Sequence, residues 1–147
     1  AARPATLSVT VTERAVGSPA LRGVRHLRAG DRLFRNDGAR PHPRFTDVSA
    51  EAGITGGVEG YGLGVVASDL NGDGCPDLYV ANDFQENDFL YVNRCDGTFA
   101  ESIARATGHV SRFSMGVDAA DVTNDGRPEL FVADMLPERE AVRQTSA

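Results

Sequence analysis

The chain has 147 residues, of which 41% are hydrophobic and 24% are charged, and its formal net charge at pH 7 is -6. This composition is typical of a globular domain, and the basic residues form no run that would attract a nucleic acid. No stretch approaches the roughly 18 consecutive apolar residues of a transmembrane helix. The sequence therefore predicts no nucleic-acid partner and no membrane insertion.

Short apolar and β-branched runs, separated by turn residues, predict an all-β chain. Two segments, 49–53 and 101–108, fit either irregular chain or a single turn of helix ending at a glycine. Residues 14–30 are predicted to form an irregular connection and residues 137–147 a loop. The predicted strands lie, in chain order, near residues 6–13, 32–36, 44–48, 62–69, 77–82, 88–93, 98–103, 114–121 and 129–134.

An internal repeat organises these strands. Residues 64–83 align with residues 116–134 at an offset of 52, and residues 31–36 align with residues 88–93 at an offset of 57. A unit of this length with about four strands is typical of a blade of a β-propeller. The sequence therefore predicts a propeller fragment with four-stranded antiparallel blades, excised from a longer chain. Its predicted parts are the end of one blade (1–48), a nearly complete blade (49–112) and the start of the next (113–147).

The loop at residues 69–77 has the residue types that a hard divalent cation binds. Oxygen-bearing side chains occupy positions one, three, five and nine, and Gly74 at position six permits a sharp turn. Cys75 at position seven would contribute its backbone carbonyl, because a thiol is a poor ligand for a hard ion. The predicted calcium ligands of this first loop are Asp69, Asn71, Asp73, Cys75 and Asp77.

The second copy of the loop departs from this pattern. It keeps acids at positions one, five and nine, but position three is Thr123 and position nine is the longer Glu129. We therefore expect weaker calcium binding there. The predicted ligands of this second loop are Asp121, Thr123, Asp125, Arg127 and Glu129.

The residues of the two loops also suggest two other interpretations. An EF-hand needs a bidentate Glu at position twelve and helices on both sides, whereas position twelve is Val80 or Val132 and the flanks resemble strands. An EF-hand is therefore rejected. Ordinary Asp/Asn/Gly turns without a metal remain an alternative. Because four ligand-type residues recur in register, this alternative is less favoured, and it is less favoured for the first loop than for the second.

The chain has two cysteines, Cys75 and Cys95, too few for a zinc site of paired Cys-x-x-Cys type. If the blade is an up-and-down meander, the loop between its first two strands and the loop between its last two emerge on the same side. A Cys75–Cys95 disulfide is therefore predicted, and two free thiols are the alternative. A disulfide would fit an oxidising compartment.

Residues 31–136 resemble the FG-GAP or VCBS repeats of integrin-α-like propellers, and more narrowly the cartilage acidic protein and ASPIC/UnbV group. The resemblance implies a seven-bladed propeller of secreted or cell-surface proteins, with calcium between the first two strands of a blade and no established enzymatic activity. The motifs that carry it are the two loops, Asn36-Asp37-Gly38, Phe45-Thr46-Asp47-Val48, Tyr79-Val80-Ala81-Asn82-Asp83-Phe84, Glu86-Asn87-Asp88, Asp96-Gly97-Thr98-Phe99, Phe113-Ser114-Met115-Gly116 and Asp134-Met135-Leu136-Pro137.

The leading functional prediction is a non-catalytic binding module, extracellular or periplasmic, in which structural calcium organises a surface for a protein or glycan partner. The remaining propeller blades are its other predicted partners. A part of a secreted polysaccharide-acting enzyme is the first alternative, and it would need two carboxylates facing a cleft. A structural spacer is the second. Six aromatic residues are predicted to pack between blades: Phe34, Phe45, Tyr79, Tyr91, Phe99 and Phe131.

Overall fold

The computed structural model describes residues 7–10, 30–38, 42–57, 60–84, 86–111 and 113–135. The predicted connection at 14–29, the predicted loop at 137–147 and the outer parts of the predicted strand at 6–13 lie outside the described residues. No helix among the described residues is long and apolar enough to cross a membrane.

Nine strands and two short helices make up the described chain, and each predicted strand has an observed counterpart. Both segments that could have been irregular form a single helical turn, and the first ends at Gly53 with a φ of 77°. The strands are β1 (Leu7–Thr10), β2 (Arg32–Asn36), β3 (Phe45–Asp47), β4 (Gly60–Ser68), β5 (Asp77–Phe84), β6 (Phe89–Asn93), β7 (Phe99–Glu101), β8 (Ser114–Ala120) and β9 (Glu129–Asp134). The helices are α1 (Ser49–Ala52) and α2 (Ile103–Ala106).

The strands form three antiparallel sheets in which neighbours in sequence are neighbours in space. The first sheet is β1-β2-β3, the second is β4-β5-β6-β7 and the third is β8-β9. The second sheet is thus a four-stranded meander, and the all-β antiparallel prediction is confirmed. The repeat also includes a shift in strand register that the sequence did not predict. The register shifts between Gly62 and Gly64 in the second sheet and at the equivalent place, between Ser114 and Gly116, in the third.

Strand β5 is buried on both of its faces, which places the second sheet between the other two. Leu78 and Val80 belong to one core cluster, which also contains Leu33 of β2. Tyr79 and Ala81 belong to another, against which half-buried apolar residues of β8 and β9 pack. Successive side chains of a strand point to opposite faces, so this alternation is expected of a strand covered on both sides. Each large side chain buried in this way contributes roughly 1.5–3 kcal/mol.

Strands β4 and β8 of adjacent sheets approach each other closely at Gly64. A Cβ at that position would lie 3.3 Å from a side-chain carbon of Val117 and 3.4 Å from the Cα of Gly116. A side chain at residue 64 would therefore crowd the neighbouring strand.

The prediction that six aromatic residues pack between blades is correct for some and wrong for others. Tyr79, Tyr91 and Phe99 are buried, whereas Phe45 and Phe131 are each 50% exposed. Phe131 aligns with Tyr79 in the repeat, and Tyr79 packs in the cluster that β8 and β9 cover. The described residues contain no further sheet on the Phe131 face, so Phe131 lacks the cover that Tyr79 has.

Candidate metal centre

The first loop connects β4 to β5, and two residues in it have a left-handed backbone. Gly72 and Gly74 have φ values of 79° and 86°, a region that a residue with a Cβ adopts only at a cost. The corresponding residues of the second loop, Asn124 and Gly126, have φ values of 58° and 85°. The turn that Gly74 was predicted to permit is therefore present in both copies.

Asp69, at position one, organises the backbone of the first loop. Its Oδ1 accepts hydrogen bonds from the amides of Gly72 (2.8 Å) and Asp73 (3.0 Å), and its Oδ2 accepts one from Gly74 (2.8 Å). A carboxylate has about four lone-pair sites, so Asp69 keeps acceptor capacity beyond these three bonds. Its side chain can therefore shape the loop and bind a cation at the same time.

Asn71 and Asp73, at positions three and five, are exposed and contact each other. The Asn71 Oδ1 accepts a bond of 2.9 Å from the Asp73 amide, and its Nδ2 donates one of 2.9 Å to the Asp73 Oδ2. The Asp73 Oδ1 accepts a bond of 2.8 Å from the amide of Cys75. These contacts gather side-chain oxygens of positions one, three and five within one turn of backbone.

Asp77, at position nine, differs from the other acids of the loop because it is fully buried. Its Oδ2 accepts a bond of 3.1 Å from the amide of Leu70, and its Oδ1 accepts one of 2.8 Å from the amide of Asn93 at the end of β6. Asp77 therefore joins the start of the loop to the neighbouring strand.

The second loop reproduces four of these bonds at equivalent positions. The carboxylate of Asp121 accepts from the amides of Asp125 (3.0 Å) and Gly126 (2.8 Å), and Asp125 accepts from Arg127 (2.9 Å). Glu129 accepts a bond of 2.9 Å from the amide of Val122, as Asp77 does from Leu70. The two loops thus share one backbone course.

The departures of the second loop are linked to each other. The hydroxyl of Thr123 donates a bond of 3.0 Å to the Oε1 of Glu129. The first loop instead places an amide of Asn71 against Asp73 at this point. One oxygen of the second loop's longer acid is therefore engaged by the residue that was predicted to be a ligand.

The two cysteines form a disulfide, which confirms the predicted pairing and excludes two free thiols. The Cα atoms of Cys75 and Cys95 are 5.7 Å apart, and 20 residues separate them in sequence. Both sulfurs also lie near a carboxylate oxygen of Asp73. Because both sulfurs are engaged in a disulfide, no thiolate is available here for a soft metal such as zinc.

The donor chemistry of the first loop fits calcium. The side chains at positions one, three, five and nine offer oxygen ligands, which calcium accepts in a flexible coordination geometry. The loop lies between two strands, whereas an EF-hand loop lies between two helices. Asp69, Asn71, Asp73 and Asp77 would hold the ion, with the Cys75 carbonyl at position seven. In the second loop the same roles would fall to Asp121, Thr123, Asp125, Arg127 and Glu129. Calcium binding by either loop stays a prediction.

A buried carboxylate that the sequence analysis did not single out joins the second sheet to the third. Asp88 is fully buried; its Oδ2 accepts bonds from the Tyr79 hydroxyl (2.6 Å) and the Ser114 hydroxyl (2.6 Å), and its Oδ1 accepts from the Asn82 amide (2.7 Å). Burial and the bond to Asp88 raise the pKa of Tyr79. Three donors compensate the burial of this carboxylate.

The repeat counterpart of Asp88 is Asp31, and its surroundings are different. Desolvation by burial, followed by the negative charge of Glu86, raises the pKa of Asp31 to about 6, while a hydrogen bond from Tyr91 opposes the shift. The Oδ2 of Asp31 is buried without a hydrogen-bond partner. The sequence indicated that Asp31 and Asp88 are equivalent, because residues 31–36 align with residues 88–93.

A cavity of about 500 Å³ lies beside the first loop, between it and β2 with α1. Phe34, Val48 and Phe99 supply apolar lining, and Arg35 and Glu51 supply charged groups. The histidines give no comparable feature: His42 and His109 are exposed, and His26 lies outside the described residues.

Comparison with known proteins agrees with this architecture. Residues 69–132 match the family model described as the FG-GAP-like repeat, a segment that contains both loops and the strands between them. The search of curated proteins and the search of solved structures gave no match. The match, together with the antiparallel sheets, supports the assignment of this segment to the FG-GAP repeat family.

Proposed function

We propose that this chain is a calcium-binding module of an extracellular β-propeller, either secreted or on the cell surface. Calcium is structural in this proposal, the module is not catalytic, and it binds a protein or glycan partner. The finer assignment to a seven-bladed propeller of the cartilage acidic protein and ASPIC/UnbV group belongs to the same proposal.

The observation that carries the proposal is the shared course of the two loops. Four equivalent hydrogen bonds, two left-handed residues and acids at positions one, five and nine recur at an offset of 52 residues. Asp69, Asp73 and Asp77 each accept backbone amides, but their negative charges on one loop repel one another. A bound divalent cation would neutralise that repulsion.

The disulfide supports the extracellular part of the proposal. Disulfides persist in oxidising compartments and are rare in the cytosol. The Cys75–Cys95 bond joins two loops at the same end of the second sheet. It therefore fits a secreted or periplasmic protein better than a cytosolic one.

The cavity beside the first loop supports the binding part of the proposal. Its volume of about 500 Å³ lies in the range of ligand sites, and it combines aromatic and aliphatic lining with a few charged groups. Gly74 and Cys75 contribute to its wall, so an ion in the loop would fix part of this surface. Calcium and partner binding would then be coupled.

Calorimetry with two matched variants tests the proposal. Unfolding and metal binding are measured in calcium and in chelator for the wild-type chain, for Asp73→Ala and for Asp96→Ala. Asp96 is an exposed acid of the β6–β7 hairpin that bonds to Thr98 in its own turn. It therefore controls for the loss of one negative charge outside the loop.

We expect calcium to stabilise the wild-type chain and Asp96→Ala equally, and to stabilise Asp73→Ala less, because only the weaker second loop would then bind the ion. A free calcium concentration a hundredfold above Kd would add about 2.7 kcal/mol to the free energy of unfolding. A folded wild-type chain whose unfolding midpoint is the same in calcium and in chelator would contradict the proposal. Turnover of a polysaccharide, lost on changing an acid outside the two loops, would favour the enzyme alternative.

A further inference from the structure

The last three positions of the first loop are attached to the neighbouring hairpin between β6 and β7. Position seven, Cys75, is covalently bound to Cys95 of that hairpin. Position eight, Pro76, accepts a hydrogen bond of 2.9 Å on its carbonyl from the Nδ2 of Asn93. Position nine, Asp77, accepts a bond of 2.8 Å from the Asn93 amide. The hairpin therefore fixes the half of the loop that Asp69 does not reach.

The hairpin that supplies these contacts is itself well ordered by local bonds. The Asn93 Oδ1 accepts a bond of 2.9 Å from the Cys95 amide, and the amide of Arg94 donates one of 2.9 Å to the Thr98 carbonyl. Cys95 has a φ of 62°, an uncommon conformation for a residue with a Cβ. The bond to Asn93 and the disulfide together hold Cys95 in that conformation.

The described residues include no hairpin beside the same three positions of the second loop. Glu129 accepts from Val122 and Thr123, both of which lie inside the loop. Position seven is Arg127, an exposed residue, and the described disulfide pairs the only two cysteines of the chain elsewhere. Within the part of the chain that the structure describes, the two loops therefore share a backbone course and differ in the contacts made from outside the loop.

We propose that the Cys75–Cys95 disulfide and Asn93 preorganise the first loop for calcium, so that reduction of the disulfide weakens calcium binding at this loop alone. This inference rests on the proposed calcium function. A loop whose conformational freedom is already restricted loses less entropy when the ion binds. Cys75 is both the cross-linked residue and the predicted donor of a carbonyl ligand, so the cross-link acts directly on the ligand set.

Because the disulfide can be reduced, the calcium affinity of the first loop depends on the redox environment. A dithiol such as dithiothreitol supplies two electrons and two protons, the Cys75–Cys95 S–S bond becomes two thiols, and the reductant closes into a cyclic disulfide. The new thiols do not replace oxygen ligands, because thiols are poor partners for a hard cation. The loop loses its tether and gains no ligand.

A residue-resolved calcium titration tests the inference. The amides of Gly74 and Gly126 donate to Asp69 and Asp121, so their resonances in a ¹⁵N-labelled chain report the two loops separately. We expect calcium affinity at Gly74 to fall roughly 10–100-fold in the Cys75→Ser/Cys95→Ser variant, as for losses of outer-shell support at metal sites. Affinity at Gly126 is expected to stay unchanged. Dithiothreitol should reproduce the effect in the wild-type chain and do nothing further to the variant.

Two comparisons separate preorganisation from general stabilisation. A disulfide that only stabilises the fold would lower the unfolding midpoint and leave the affinity at Gly74 of the folded chain unchanged, and that result would overturn the inference. Asn93→Ala keeps the disulfide and removes the side-chain bonds to Pro76 and to the Cys95 amide, so it tests the support from the hairpin if the double variant does not fold. Weaker binding at Gly74 in Asn93→Ala supports the inference, and unchanged binding overturns it.

Failure of this inference is distinguishable from failure of the proposed function. If neither glycine responds to calcium in the oxidised wild-type chain, the proposed function fails and this inference fails with it. If Gly74 responds equally in the wild-type chain and in the double variant, calcium binding stands and the preorganisation by the disulfide is wrong.

Discussion

The two loops of the repeat are alike where their own residues determine the structure and different where neighbouring strands contribute. Asp69 and Asp121 each accept the amides of positions five and six, so the acid at position one folds both turns in the same way. At position nine, Asp77 is buried and bonded to β6, whereas Glu129 is half-buried and its side chain accepts bonds, among the described residues, only from within its loop. A local motif thus sets the course of the chain, and the next hairpin sets how firmly it is held.

A second pair of equivalent acids shows the same dependence on neighbours. Asp88 has three donors, one of which is Ser114 from the third sheet, whereas the Oδ2 of Asp31 is buried without a partner. Each acid immediately precedes the equivalent strand of its own copy of the repeat, β2 for Asp31 and β6 for Asp88. The hydrogen-bond donors around each acid, and not its position in the repeat, decide whether burial of its charge is compensated.

The largest effect is expected from removing the compensated member of this second pair. Asp88→Ala would leave buried donors of Tyr79, Ser114 and Asn82 unpaired and should lower the free energy of unfolding by about 4 kcal/mol. Urea unfolding at neutral pH measures the change. The exposed Asp96→Ala is the control; it removes only the bonds from Thr98 in its own turn and should lower the free energy of unfolding by about 1 kcal/mol. Equal effects of the two substitutions would contradict the role given to Asp88.

Removing position nine should distinguish the two loops. Asp77→Ala would leave the amides of Leu70 and Asn93 without their acceptor and should lower the free energy of unfolding by about 3 kcal/mol. Glu129→Ala removes bonds within a more exposed loop and should lower it by only about 1 kcal/mol. Urea unfolding of both variants in chelator makes the comparison without metal. A difference of zero would mean that β6 does not support the first loop.

The uncompensated acid should make stability depend on pH. The pKa of Asp31 is about 6 in the folded chain against an ordinary value of 3.8, so the folded state holds this proton more tightly than the unfolded state. The contribution of Asp31 to the free energy of unfolding is therefore fully present below about pH 4 and is lost as the pH rises through about 6. Asp31→Asn removes this loss and should raise the free energy of unfolding at about pH 8 by roughly 3 kcal/mol.

Urea unfolding of the wild-type chain and Asp31→Asn across this pH range checks the expectation. The two curves of stability against pH should converge near pH 4 and diverge above it. Parallel curves would show that another group is responsible for the pH dependence.

Replacing the two residues of the second loop that depart from the first should make the calcium affinities of the two loops more alike. Thr123→Asn with Glu129→Asp restores the residue types of the first loop and frees the carboxylate at position nine from the threonine hydroxyl. We expect calcium affinity at Gly126 to rise about tenfold, a gain of about 1.4 kcal/mol. Glycine-resolved titration of the variant measures it. An unchanged affinity would mean that the ligand set at positions three and nine does not limit the second loop.

The features that could be predicted from the sequence are those that local residue patterns encode. The β-branched runs gave the strands, and the alternate acids with Gly74 gave a loop of the expected backbone course. The Cys75–Cys95 disulfide followed from the side on which two loops of a meander emerge, and it is present.

The features that could not be predicted depend on contacts between sheets. Asp88 was predicted only as the first residue of a strand at 88–93, and one of the donors that compensate its burial is Ser114, which lies 26 residues away on the next sheet. Phe131 has the context of a core residue and is exposed, because the described residues do not cover its face. A sequence pattern also does not establish that a loop acid binds an ion, because that role depends on the ion itself.

A calcium titration of the oxidised wild-type chain, followed at the amides of Gly74 and Gly126, tests the central claim most directly. If the two loops are calcium sites of unequal support, the Gly74 resonance will shift at a lower calcium concentration than the Gly126 resonance. If neither resonance shifts in millimolar calcium while the chain is folded, the loops are acidic turns and the calcium function is wrong. If both shift together, the difference in support between the loops has no effect on binding.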